Sequence, residues 1–211
     1  MPFEQISPQD FCATIARNGS PAMANEFARF EFADPKAWPI ADGMIHRGPL
    51  VLTGSFTPPS VNTLITGDLD VAGLIDCDTG YDAGGLLVVL GNVSCAMFSG
   101  HVGASAFVDG DLDAWQFMLT AFEDSAFVVA GQLRTRFHYG WDIAVNVGNG
   151  ARVEYGDGYC LPLGYRDPVK ESIVPRHDRD TSRQLLAGGD VDEDIGFDLL
   201  ERIREGRSPF R

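Results

Sequence analysis

The chain has 211 residues, 45% of them apolar and 22% charged, with a net charge of −14. That is the composition of an ordinary folded domain, and no apolar run reaches the roughly eighteen residues that a membrane helix needs. The acidity argues against a nucleic-acid partner, whose phosphates it repels, and favours a basic protein or a divalent cation.

The opening residues Met1-Pro2-Phe3-Glu4-Gln5 lack a basic region followed by an apolar run. No secretory leader is therefore expected, and the expected compartment is the cytoplasm. Ser7-Pro8-Gln9-Asp10 predicts a helix start, with Ser as cap, Pro in the first turn and Asp at the positive end of the dipole. Phe11, Cys12, Ile15 and Ala16 then share a face, and Gly19 is the expected stop. Ser20-Pro21 repeats the start signal for a second helix from Ala22 to Phe30, carrying Met23, Phe27 and Phe30 on one side and ended by Asp34-Pro35. Residues 1–47 are read as a helical cap on the repeats that begin at residue 48.

From residue 48 the period changes to two, and one phrase recurs: apolar, any, Gly, any, apolar. Its copies are Leu52-Thr53-Gly54-Ser55-Phe56, Ile65-Thr66-Gly67-Asp68-Leu69, Val89-Leu90-Gly91-Asn92-Val93, Val108-Asp109-Gly110-Asp111-Leu112 and Val129-Ala130-Gly131-Gln132-Leu133. After a first glycine step of 13 the steps are 24, 19 and 21. A quasi-period near twenty on strand-like phrases predicts a solenoid. No tract convincingly reads as a crossover helix, so the expected fold is mainly β: a right-handed parallel β-helix of about five coils over residues 48–160. Asp68, Asn92, Asp111 and Gln132 hold one place in successive phrases and predict a polar ladder, with neutral Asn92 separating two aspartates that would otherwise repel.

After residue 133 the repeat fades into Arg134-Thr135-Arg136-Phe137-His138-Tyr139-Gly140-Trp141. Val145-Asn146-Val147 and Val153-Glu154-Tyr155 are read as closing strands. Residues 161–211 are read as an extended loop and a C-terminal helix laid on the solenoid; the loop tract runs from Gly158 to Arg183, with Ile173-Val174 as anchor. The helix would be capped by Asp192 or Asp194 and end at Gly206. Ile195, Leu199, Leu200 and Ile203 would form its apolar face, with Arg202 and Arg204 at its negative end.

The charge is unevenly placed. No Lys or Arg lies between Arg47 and Arg134, and twelve of the sixteen basic residues lie from Arg134 onward. The basic-free interval carries Asp68, Asp70, Asp76, Asp78, Asp82, Asp109, Asp111, Asp113, Glu123 and Asp124. Catalytic and metal motifs are thin. Asp76-Cys77-Asp78 resembles a phosphotransferase Asp-x-Asp, but its Thr falls one place early and no doubly wound sheet surrounds it. Asp78-Thr79-Gly80 occurs once, where an aspartic protease needs two such triplets. Asp76, Asp78, Gly80 and Asp82 partly match a calcium loop that lacks its sixth-place Gly and its twelfth-place Glu. Cys12, Cys77, Cys95 and Cys160 show no zinc spacing and are read as reduced buried thiols. His46, His101, His138 and His177 show no metal-helix spacing. No cofactor or metal is implied, and a turn between coils accounts for the Asp-Gly tract.

Ile65-Thr66-Gly67-Asp68-Leu69 and Val108-Asp109-Gly110-Asp111-Leu112 resemble the V-x-G-D-L repeats of bacterial bactofilin-like, polymer-forming β-helix proteins. With His138-Tyr139 and the helical tail Leu199–Arg211, the chain is also similar to a set of bacterial cytoplasmic proteins that look like toxin-immunity proteins. That resemblance implies a non-enzymatic binding protein whose acidic surface occludes the basic active site of a cognate toxin, a nuclease being favoured. The expected partner surface comprises the ten acidic residues above, with His138, Tyr139 and Trp141 as aromatic anchors. A homodimer is compatible with this reading. Two alternatives stand beside it: a self-assembling bactofilin-like scaffold, and a carbohydrate-active β-helix enzyme with paired carboxylates. A structured segment at each end departs from bactofilins, whose tails are short and disordered, and would block end-to-end growth.

Overall fold

The computed structural model describes residues 3–30, 33–34, 36, 43–79, 85–101, 103–121, 125–141, 143–156, 158–164, 184–187 and 195–211. These residues form a mainly β solenoid of about six turns with three helices, built on two parallel sheets. Short strands make the first sheet: β2 (Gly43–His46), β4 (Asn62–Ile65), β6 (Leu86–Val89), β8 (Ser105–Val108), β10 (Phe127–Val129), β12 (Ala144–Val147) and β14 (Tyr159–Pro162). The second sheet stacks β3 (Leu50–Leu52), β5 (Leu69–Asp76), β7 (Val93–His101), β9 (Leu112–Ala121), β11 (Leu133–Trp141) and β13 (Ala151–Gly156). Each turn contributes one strand to each sheet, so the strands run parallel without intervening helices. No helix among the described residues is long and apolar enough to cross a membrane.

The glycine phrase marks the corner that leads into the second sheet. Gly131 donates its N–H to Gly110 O at 2.9 Å, and Gly110 donates to Gly91 O at the same distance. Successive corners lie so close that a Cβ on Gly91 would stand 2.7 Å from the Gly67 carbonyl carbon, a gap no side chain fits. Gly54 is not in this stack. The register pairs Leu50 with Leu69, so Gly48-Pro49 occupies the corner below Gly67-Asp68, while Gly54 lies under Gly73. This corrects the first phrase and explains its odd step of 13. At the other end Leu133 pairs with Ala151, which puts Asn149-Gly150 in the place of Gly131-Gln132. The two outermost corners thus lack the phrase, so four of its five copies mark corners in about six turns and the copy at Gly54 does not.

Strands of the first sheet are apolar on both faces, because both are covered. Their inner side chains, Ile65, Leu87, Val89, Ala106, Val108, Val129 and Val145, join the solenoid core. Their outer ones, Ile45, Leu64, Leu86, Val88, Phe107 and Val128, pack under α1 (Pro8–Asn18) and α2 (Pro21–Phe27) through Phe11, Ile15, Met23 and Phe27. Both helices start as the Ser-Pro signals predict: Ser7 Oγ accepts from Asp10 N–H and Ser20 Oγ from Met23 N–H, each at 3.2 Å. A short strand that alternation did not reveal, β1 (Glu4–Ile6), pairs antiparallel with β2 and closes that edge of the sheet. Phe3 stacks on Phe56 at 6.3 Å and packs against the core at the same end. The N-terminal cover thus spans one flank and one end.

The long strands of the second sheet turn a corner midway, where the register shifts between Val71 and Leu74, between Cys95 and Met97, and between Thr135 and Phe137. Beyond it the alternation changes phase. Ile75, Phe98 and Met118 point into the core, while Leu74, Phe117, Leu119, Phe137 and Tyr139 form an outer cluster. The C-terminal helix α3 (Ile195–Arg204) covers that cluster with Leu199 and Ile203. Phe210 meets Phe117 and Phe137 edge-on at 6.1 and 6.0 Å. The expected anchor Ile173-Val174 and the candidate caps Asp192 and Asp194 lie outside the described residues.

Candidate functional site

The acidic residues fall into groups with different duties. The predicted ladder is present, and it works by hydrogen bonding along the stack. Asp68 Oδ1 accepts from the Asn92 N–H at 2.7 Å and from Asn92 Nδ2 at 3.2 Å. Asn92 Oδ1 accepts from Asp111 N–H at 2.9 Å, and Asp111 Oδ1 from Gln132 N–H at 2.8 Å. Each side chain thereby satisfies a corner amide of the next turn that the strand ladder leaves unpaired.

Other carboxylates clamp the covers. Asp109 accepts from Ser20 N–H at 2.8 Å and from Ser20 Oγ, which ties the start of α2 to the solenoid. Asp76, buried, and Asp78, half-buried, both hold Arg204 of α3, at 2.7 and 2.9 Å. Asp78 N–H in turn donates to Asp76 Oδ1 at 3.2 Å. The Asp-x-Asp tract is thus an internal clamp for a guanidinium. Among the described residues no group of three or more His, Cys, Asp or Glu is placed to hold a metal ion. Asp82, Glu123 and Asp124 lie outside the described residues, as does the side chain of Trp141.

His138 and Tyr139, expected as surface anchors, are 0% and 1% exposed and offer a partner no surface. His138 faces inward because of the phase change at the mid-strand corner. Its Nε2 lies 2.9 Å from Thr120 Oγ1, and Gly158, where a Cβ would strike the ring, makes room for it. Burial without a counter-charge pushes its pKa down from 6.5 to about 4, so the ring is neutral at pH 7. Tyr139 lies in the cluster under α3. Burial pushes the Cys160 thiol up to about 12 and the Cys77 and Cys95 thiols also upward, which leaves these three as inert core residues.

Among the described residues, α1 and α2 cover the first sheet from β2 to β10 and α3 covers the second half of the second sheet, whereas the first half of the second sheet exposes most of its outer side chains. The strand register lays out one outward row across the six strands: Val51, Asp70, Ser94, Asp113, Arg134, Arg152. Beyond it, where the register shifts, Ala72, Trp115, Gln116, Arg136 and Glu154 are exposed while Ala96 is buried. Val51 at 61% and Trp115 at 43% are the exposed large apolar side chains among the described residues, and both stand on this flank. Asp68 and Asp111 flank the row from the corner. Arg134 ends the acidic part: it donates to Gln132 Oε1 at 2.9 Å and lies 3.4 Å from Asp111 and 3.9 Å from Asp113. Sequence reasoning found the acids but missed Val51 and Trp115, since apolar residues among apolar strands stand out only once the register is known.

No family model matches the chain, and neither the curated proteins nor the solved structures include a match.

Proposed function

We propose that this chain is a non-enzymatic binding protein that docks a basic protein on the bare flank of its second sheet. The observation that carries the reading is the coincidence, on a flank left uncovered among the described residues, of Val51 and Trp115 with Asp68, Asp70, Asp111 and Asp113. An aromatic side chain ringed by polar and charged groups is the usual make-up of an energetic centre in a protein interface. Opposite charge adds encounter rate and selectivity. Of the other described acids, Asp76, Asp78 and Asp109 are held by Arg204 or Ser20 and fall out of the docking surface.

The specific form favoured by the V-x-G-D-L resemblance is a cytoplasmic immunity protein that neutralises a toxin by covering its basic active site. A nuclease is the favoured target, because its cleft is built for phosphates and an acidic flank can occupy it. In this reading nucleic acid itself is not a ligand. The test is co-purification with the product of the adjacent gene. Wild-type chain should retain it, and Asp70→Lys/Asp113→Lys should lose it while keeping an unchanged melting curve. Equal retention by both would remove the flank from the account; retention by neither would remove the partner.

A further inference from the structure

We propose that, in the absence of its partner, the bare flank is covered by a second copy of the chain in a closed two-fold dimer. The charge along the flank is not uniform. Its first four turns carry Asp68, Asp70, Asp111 and Asp113, and its last two carry Arg134, Arg136 and Arg152 beside Glu154. An antiparallel pairing of two identical flanks therefore sets acid against base. The register fixes where the two-fold axis falls. Placed midway between β7 and β9, it sets Asp70 opposite the second copy's Arg134 and Ser94 opposite its Asp113. It also brings the exposed Trp115 of each copy beside the axis. Moving the axis onto β7 sets Asp70 against Asp113, and moving it onto β9 sets Asp113 against itself. An axis midway between β9 and β11 would also set Asp113 on Arg134, but it leaves β3 and β5 outside the contact; the midpoint alone overlaps all six strands of both flanks, self-complementary as an isologous interface requires.

The flank is modest in size. Six strands at about 4.8 Å span about 24 Å, and the exposed segment of each strand is about 13 Å long. That is well below the roughly 800 Å² per partner of a standard interface. The dimer is accordingly weak and salt-sensitive. The contact closes at two copies, so it does not propagate. It uses the same flank as the basic partner, so second copy and partner exclude one another. The proposal stands whatever that partner is.

Sedimentation equilibrium of the purified chain at low salt tests it. Wild type should be largely dimeric at about 100 µM. Asp70→Arg and Trp115→Glu, both at exposed positions, should each weaken association at least about tenfold. Arg134→Glu alone should do the same. Mixing Asp70→Arg with Arg134→Glu should restore a dimer, because each altered residue then faces its opposite. Should Arg134→Glu fail to fold, which its circular dichroism reports, the other two variants decide alone. A wild type that stays monomeric at that concentration, variants that dimerise as tightly as wild type, or assemblies larger than two would each overturn the proposal.

Discussion

Asn92 shows how much one side chain contributes to the stack. Its amide is both acceptor and donor, taking a hydrogen bond from Asp111 N–H and giving one to Asp68 Oδ1. Asn92→Asp removes the donor and sets three carboxylates in adjacent turns, about 4.8 Å apart. The expected cost is about 1–2 kcal/mol, read as a lower urea midpoint and partly recovered in high salt. His138 gives a pH signature. The folded chain holds it neutral with a pKa of about 4, whereas the unfolded chain takes up the proton near 6.5. Its contribution is therefore complete above about pH 6.5 and is lost as the pH falls towards 4, to a total on the order of 3 kcal/mol. Urea unfolding at pH 7 and pH 5 should show wild type losing more stability than His138→Gln over that interval. Identical losses would mean that His138 does not remain neutral in the folded chain.

The elements were legible in proportion to how local their causes are. Ser-Pro starts and apolar spacing act within one turn of helix, and α1 and α2 begin where those signals stand. The Gly-x-apolar phrase is likewise local, and it exposed four corners of the stack and the ladder beside them. Gly54 misled because the same phrase recurs at Gly73, at a different place in the turn, and only the register separates the two. Pro49 and Gly150 hid the end corners, since a terminal turn has a neighbour on one side only and need not repeat the signature. His138 misled for a related reason. Alternation counted from Leu133 puts residue 138 outside, and the mid-strand corner reverses that phase. The clamp of Asp76 and Asp78 on Arg204 spans more than a hundred residues of sequence and left no pattern to read. Its removal should be felt at α3. Arg204→Ala leaves a buried carboxylate unpaired and should cost about 2 kcal/mol, less than a fully buried pair because Arg204 is 39% exposed. Asp76→Asn in the same chain should recover part of it, as a double-mutant cycle of unfolding free energies would show. A fully additive cycle would mean that the pair does not interact.

Taken together, the covers define what the solenoid leaves open. β1 and Phe3 close one end, two helices hide one flank, and α3 with Phe210 hides another. At the first turn an antiparallel strand lies across β2. The basic-free interval read from the sequence is real, but five of its seven described acids, Asp68, Asp76, Asp78, Asp109 and Asp111, are held in corners and clamps. The part left for recognition is a patch of a few carboxylates around Val51 and Trp115. Growth protection isolates that patch. Cells producing the adjacent gene's product should grow when they also produce the wild-type chain, and should stop growing when it carries Asp70→Lys, Asp113→Lys and Trp115→Ala, at equal abundance and with an unchanged melting curve. Full protection by the triple variant would contradict the assignment of the bare flank as the surface through which this protein acts.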